Sequence, residues 1–364
     1  MNLTAVRAEL PVLERVAYLN AGTFGPLPLR TVETMIAIQR EELENGRAGA
    51  SYWEHVRLLR AHAREAVGGL IGAPAQDLAL MRSTTEGCSL AIQSLGLGPA
   101  DEVVTTDVEH FGLLGPLRAS GARLRFARVR ERPAADALAA IEAEIGPQTR
   151  LIALSHVSWT TGQVLPVAEL AGRGIPVLVD GAQSVGSIPL DVPGLGCDFY
   201  TVSGQKWCLG PDGTGALYVS PGIVETIRVP LPSYFGIQSR DDEGGFVPAP
   251  GAQRLETGTI AAPSLAGLVA SLELASEVGP ERFAHGRELA ERCREHLAAK
   301  VEVVTEPGQA TLVAFRPAGD PAETVARLAE RGVVVRDLPG LGWVRASIGF
   351  WTSEEDLERL AAGL

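Results

Sequence analysis

The chain has 364 residues, 46% of them hydrophobic, which is enough for two domains or one large domain with an appendage and too apolar for a disordered chain. A formal net charge of −12 points away from nucleic acid and anionic membrane, whose phosphates select for surplus Lys and Arg. The four cysteines, Cys88, Cys197, Cys208 and Cys293, are far apart with no CxxC pair, so neither a disulfide frame nor a zinc site is expected.

The N-terminal MNLTAVRAELPVLERV carries charge throughout and has no apolar core of a signal peptide. No uninterrupted apolar window of about 18 residues suggests a membrane span. The expected location is the cytoplasm. Val16 to Pro26 is a short apolar run ending in a glycine turn, a strand or extended arm feeding a loop. Apolar spacing predicts helices over 28–45 and 51–71. His55 and His62 lie on the second of these and read as surface or packing residues, with no metal-spaced companions.

Leu78 to Met81 is a predicted strand. Arg82-Ser83-Thr84-Thr85-Glu86-Gly87 follows and opens a helix expected over Cys88 to Leu97. Hydroxyls at a helix N-terminus suit an anion, and simple capping explains them equally well. Further strands are predicted near 101, 122, 151, 175, 199 and 214, with a helix from Ala134 to Ile145. Asp107-Val108-Glu109-His110 follows the strand at 101; a lone His there is by itself a cap or core residue. The strand at 151 opens into a polar loop, His156 to Gln163, whose Trp159 is either a core residue or a site residue. Alternating strands and crossovers predict a mostly parallel seven-stranded sheet with helices on both faces, the closely spaced last pair carrying an antiparallel member.

From Val229 to Ala252 the chain is rich in Pro, Gly and acid and reads as a long irregular loop. Beyond it, residues 264–300 look helical, strands are expected at 302–305, 311–315 and 332–336, and helices at 321–331 and 353–363. The expected division is an N-terminal arm over 1–20, a large domain over 21–252 and a small α+β domain over 253–364.

The stretch 175–215 organises the rest. One apolar run, from Ile175, ends in Asp180; another, Phe199 to Val202, ends in Ser203-Gly204-Gln205-Lys206-Trp207. In α/β sheets ligands bind beyond the carboxyl ends of strands. A buried lysine has a lowered pKa and can bond an aldehyde, and a carboxylate can keep a pyridine nitrogen protonated. Pyridoxal phosphate (PLP) requires both. Taken alone, the pair also fits a solvated Lys and a turn-capping Asp.

The surrounding residues resemble a known family. Ser203-Gly204-Gln205-Lys206-Trp207 with Gly210-Pro211, and Asp180-Gly181-Ala182-Gln183-Ser184, are similar to the lysine and aspartate motifs of class V aminotransferases and cysteine desulfurases, which are fold-type I PLP-dependent enzymes. The resemblance implies Lys206 as the PLP-bonding lysine, Asp180 at the pyridine nitrogen and Gln183 at the ring hydroxyl. It implies His110 over the ring and Thr84, Thr85, Ser203 and Gln205 around the phosphate. The family usually has His where Gln205 stands. Arg254-Leu255-Glu256-Thr257-Gly258-Thr259 resembles a motif whose threonine reaches the PLP phosphate of a neighbouring subunit, implying Thr259 as a cofactor contact and a homodimer with shared sites.

For the substrate, the resemblance implies the segment of Asn20 and Ala21, with Trp159, at the pocket, and Arg345 of Arg345-Ala346-Ser347 on an α-carboxylate. Arg336 suits a second carboxylate or a surface salt bridge. Trp159-Thr160-Thr161-Gly162-Gln163 resembles the cystine C–S lyase branch. A persulfide-forming desulfurase needs a mobile thiol in the small domain, and no cysteine lies between Glu302 and Arg345. The expected function is thus a PLP-dependent C–S lyase acting by β-elimination on cystine or a related small amino acid, giving pyruvate, ammonia and a (per)sulfide. An epimerase or aminotransferase of the isopenicillin N epimerase-like type is the alternative, ahead of a desulfurase or a non-catalytic PLP-binding homologue. No metal site is expected.

Overall fold

The computed structural model of the chain describes residues 2–364. Helix α1 (Leu3–Ala8), β1 (Ala17–Tyr18), α2 (Leu29–Asn45) and α3 (Gly49–Ile71) lead into the main sheet. There follow β2 (Leu78–Met81), α4 (Thr84–Leu95), β3 (Glu102–Thr106), α5 (Phe111–Ala119), β4 (Arg123–Ala127), α6 (Ala137–Glu142) and β5 (Thr149–Ser155). Then come α7 (Val167–Leu170), β6 (Val177–Asp180), α8 (Val192–Leu195), β7 (Phe199–Ser203) and β8 (Gly215–Val219). A small hairpin, β9 (Ile237–Arg240) and β10 (Phe246–Pro248), precedes α9 (Ala262–Val278) and α10 (Glu281–Ala298). The chain closes with β11 (Glu302–Val303), β12 (Leu312–Arg316), α11 (Pro321–Glu330), β13 (Val333–Val334), β14 (Arg336–Leu338), β15 (Trp343–Ser347) and α12 (Glu354–Ala362).

The main sheet has seven strands in the order β2-β8-β7-β6-β5-β3-β4. All are parallel except β8, which runs antiparallel to both β7 and β2. Every residue of β6, β7 and β8 is buried, as expected where helices cover both faces. Side chains alternate between two cores. Along β5, Leu151 and Ala153 join Leu90 and Ile92 of α4 and Leu113 of α5. Ile152 and Leu154 face the other way, toward Val67 and Ile71 of α3, Ile141 of α6 and Leu268 of α9. This is the fold-type I architecture, an α/β layer with a second, antiparallel sheet β11-β12-β15-β14 beside it.

Four elements differ from the pattern read along the chain. Helix α4 starts at Thr84, not Cys88, because Ser83 caps it by accepting from the Glu86 N–H at 3.1 Å, and it ends at Gly96 with φ 62°. The helical stretch over 264–300 is two helices, since Gly279 (φ 84°) ends α9 and Pro280 cannot continue it. The strand at 332–336 splits, with β13 pairing parallel to β1 and β14 pairing antiparallel to β15. The loop over 229–252 contains the β9–β10 hairpin, paired with an irregular register.

Helix α9 packs against α2 and α3, and its Leu268 and Leu272 share the core of the main sheet. We propose that the division between the two units lies at Gly279-Pro280 rather than at the expected 252/253. The arm is anchored away from the main sheet, with Ala17 and Leu19 packed among Phe315, Val344 and Leu357.

Candidate active site

The carboxyl ends of β3, β5, β6 and β7 open on one edge of the sheet, because these strands are parallel neighbours. Asp180 is the last residue of β6 and is 4% exposed. Its Oδ1 accepts from Ala182 N at 3.0 Å and from Thr201 Oγ1 at 3.3 Å. Among the described residues no hydrogen bond reaches Oδ2, which is left to accept from a ligand.

Lys206 follows β7 in a tight turn. Gly204 N donates to Thr214 O at 2.9 Å, Leu209 N donates to Lys206 O at 3.1 Å, and Leu209 takes the left-handed conformation (φ 57°), uncommon without glycine. Burial lowers the Lys206 amine to a pKa of about 8; Asp180 opposes the shift, and Arg345 and Arg336 add to it. The N-terminal loop presses on this turn. A Cβ on Gly25 would lie 2.1 Å from Lys206 O, and one on Gly22 would lie 2.8 Å from Arg345 Nη2, so both approaches require glycine. Gln183 ties the two loops together, donating from Nε2 to Gly22 O at 2.8 Å and accepting from Trp207 Nε1 at 3.0 Å. One Nε2 hydrogen remains for a ligand.

His110 caps α5, and its Nδ1 accepts from Gly112 N at 3.0 Å, which leaves the proton on Nε2. Burial and Lys206 lower its pKa, so the ring is neutral near pH 7. It stands edge-on to Trp159, centroids 5.1 Å apart. Thr84 and Thr85 lie in the first turn of α4, whose unpaired N–H groups and dipole favour an anion. The start of α5 meets them, a Cβ on Gly112 falling 2.6 Å from Thr85 Oγ1. Ser203 Oγ donates to Gln205 Oε1 at 2.8 Å, so the Gln205 Nε2 is a free donor. Thr259 is exposed at the surface and contacts none of this group by hydrogen bond among the described residues.

Arg345 is fully buried. Nη1 donates to Trp159 O at 2.7 Å, Nη2 donates to Thr23 Oγ1 at 3.4 Å, and Nε has no hydrogen-bond partner among the described residues. Burial and Arg336 lower its pKa to about 9, and no carboxylate offsets them. Arg336 sits directly opposite Arg345 across the β14–β15 pair, and its guanidinium lies 5.9 Å from the Trp159 ring centre. Like charges directly opposite in an antiparallel pair are destabilising. Asn20 accepts from Thr23 Oγ1 at 2.8 Å, and Ala21 is buried beside it.

Three residues of this site were not singled out from the sequence. Thr23 joins both arginines. Glu109, buried, accepts from Thr106 Oγ1 at 2.6 Å and from Ser155 Oγ and N at 2.5 and 2.8 Å, pinning the loop that presents His110. Burial raises its pKa to about 7. Glu256 holds the segment 254–259 from beneath, accepting from Arg60, from Arg64 Nε at 3.0 Å and from Leu80 N at 3.0 Å. Only the acid before the histidine and the acid inside Arg-x-Glu hinted at the last two.

The family model for Aminotransferase class-V matches residues 17–360. The chain belongs to the class V aminotransferase family. The isopenicillin N epimerase of Streptomyces clavuligerus is 34% identical, covering 96% of this chain and 94% of the relative. A probable cysteine desulfurase of Methanothermobacter thermautotrophicus is 29% identical, over 100% and 98% of the two chains. Among solved structures, the cystine C-S lyase C-DES in complex with cysteine persulfide is 32% identical with a TM-score of 0.90, covering 97% and 98%. A C-DES mutant with glycine covalently linked to its PLP cofactor matches at 31% and a TM-score of 0.90, covering 98% of each chain. This family member is therefore a PLP-dependent enzyme.

The donor set fits that cofactor. A lysine amine lowered to about 8 suits an aldehyde, and the open Oδ2 of Asp180 suits a pyridinium N–H. Two helix starts with Thr84, Thr85 and the Gln205 amide suit the phosphate, and His110 would lie along the ring. Because only the neutral amine attacks an aldehyde, apoprotein is expected to capture PLP faster as pH rises, with a midpoint near 8. A midpoint near the ordinary lysine value of about 10.4 in stopped-flow absorbance would contradict the desolvated amine. Asp180→Asn is expected to lower turnover by about 10²-fold with PLP still bound, a loss read in steady-state kinetics against the absorbance of the bound cofactor.

Proposed function

We propose that this enzyme is a C–S lyase that performs β-elimination on cystine or a closely related cysteine derivative. For cystine, one water is consumed and pyruvate, ammonia and cysteine persulfide are produced. The observation that carries this reading is the pair of unpaired guanidiniums, Arg345 and Arg336, directly opposite each other beside Trp159. Arg345 would bind the α-carboxylate and Arg336 the distal one, each by charge-assisted hydrogen bonds. Bound PLP supplies an electron sink for the charge left at Cα when its proton departs. Lys206 Nζ, its charged form disfavoured by burial, would take that proton. Asp180 Oδ2 would hold a proton on the ring nitrogen, and neutral His110 would cover the cofactor ring. The β-sulfur then leaves as a persulfide, a weaker base than a simple thiolate.

The thiols support elimination over sulfur transfer to the protein. All four cysteines are buried, and burial pushes Cys197, Cys208 and Cys293 up to about 12 and Cys88 well above its usual value. The second reading is an epimerase, motivated by the 34% identity to isopenicillin N epimerase. Purified holoenzyme incubated with cystine tests both. Pyruvate and sulfane sulfur in equal amounts support the lyase. Exchange of the Cα proton with solvent deuterium and inversion, without pyruvate, supports the epimerase.

We further propose a homodimer in the cytoplasm. Exposed Thr259 and the exposed apolar residues Phe24, Leu27, Leu29 and Ile36 support a covered face. Light scattering at twice the chain mass is the expected result.

A further inference from the structure

The N-terminal loop reaches the two arginines through one side chain. Main-chain bonds from Leu19 N to Val334 O at 2.9 Å and from Ser347 N to Leu19 O at 2.7 Å lay the arm beside β13 and β15. This delivers Thr23 to the gap between the guanidiniums. Its hydroxyl donates to Asn20 Oδ1 at 2.8 Å, so both lone pairs face the cations. One accepts from Arg336 Nη1 at 3.3 Å and the other from Arg345 Nη2 at 3.4 Å.

The two arginines depend on this hydroxyl unequally. Arg345 is also held by Trp159 O at 2.7 Å and is enclosed on all sides. Arg336 makes no other side-chain hydrogen bond among the described residues; its guanidinium also lies 5.9 Å from the Trp159 ring centre. It faces a like charge across the strand pair. Without a shared acceptor, repulsion drives the less anchored guanidinium outward into water, where it is better solvated.

We propose that Thr23 is a specificity-determining residue: its hydroxyl holds Arg336 beside Arg345 and so builds the subsite for a second substrate carboxylate, while the α-carboxylate subsite at Arg345, anchored also by Trp159 O, depends on it far less. The proposal rests on Arg336 as the partner of a second carboxylate, and it is independent of whether elimination follows binding. The ligand class is an amino acid with a second carboxylate at the far end of its side chain. Thr23 acts through Arg336 and is a positioning residue.

The experiment titrates PLP-loaded protein with L-cystine, which has two carboxylates, and with L-alanine, which has one, reading the absorbance change of the bound cofactor. Thr23→Val keeps the volume and the branched β-carbon and removes the hydroxyl. It is expected to weaken cystine by at least about tenfold and alanine by no more than about twofold. Thr23→Ser is expected to restore cystine binding. In an Arg336→Met background, Thr23→Val is expected to add no further loss, since the residue it positions is gone. Equal weakening of both amino acids, a further loss in the Arg336→Met background, or wild-type protein that binds cystine no tighter than alanine would overturn the proposal. Binding is read separately from pyruvate. Protein that shows the expected pattern yet forms no pyruvate would defeat the lyase reading and leave the role of Thr23 standing.

Discussion

Lys206→Ala is expected to lower turnover by about 10⁴-fold or more, because it removes the amine proposed to attach PLP and the base proposed at Cα. Borohydride treatment should attach PLP covalently to the wild-type protein and not to the variant, a difference read by mass. The stability of apoprotein should move the other way. Burial holds the amine at about 8 in the folded chain, below its ordinary value of about 10.4. The unfolded chain therefore binds more protons between these values, and the penalty for a charged Lys206 is fully present below pH 8 and gone above about 10.4. Lys206→Ala apoprotein should be more stable than wild type below pH 8, with the gain fading as pH rises. Urea midpoints at pH 7 and 10 measure it, and a gain that grows with pH would refute the desolvated amine.

Glu256→Ala is expected to cost about 3–5 kcal/mol of stability. Glu256 is 0% exposed and Arg60 is 3% exposed. Removing the carboxylate leaves the Arg60 charge buried and strips the Leu80 N–H and Arg64 Nε of their acceptor. The Arg60 guanidinium also stacks 4.0 Å from the Phe235 ring centre, so it cannot leave without disturbing the loop before β9. The damage should reach the site. Thr257, next in the chain, donates to Glu86 Oε1 at 2.5 Å, at the start of α4 where the phosphate would sit. Weaker PLP retention together with a lower urea midpoint is the expected outcome. A variant as stable as wild type would mean that the buried arginine finds water or another acceptor.

Motifs local in the chain were legible. Asp180 and Ser203 each end an apolar run, with Lys206 in the turn after the second, and a run of β-branched residues stopped by a polar one reads as a strand end whatever lies beside it. The start of α4 was misplaced because Thr84 and Thr85 are weak helix formers, and the capping by Ser83 that admits them is a contact rather than a pattern. The end of α9 was missed because Gly279 and Pro280 lie inside an apolar periodicity that continues past them.

The sequence by itself determined the alternation of strands and helices, because these are written in neighbouring residues with a fixed period, and its resemblance to a known family implied the PLP chemistry and the arginine of the α-carboxylate. Only the tertiary structure decided that Arg336 and Arg345 face each other, that Thr23 stands between them, and that Glu109 and Glu256 hold the loops of the site. The hydrogen bonds among them span from 3 residues, Thr106 to Glu109, to 322, Thr23 to Arg345. Strand register and burial select such long-range partners, and no local pattern in the chain encodes them.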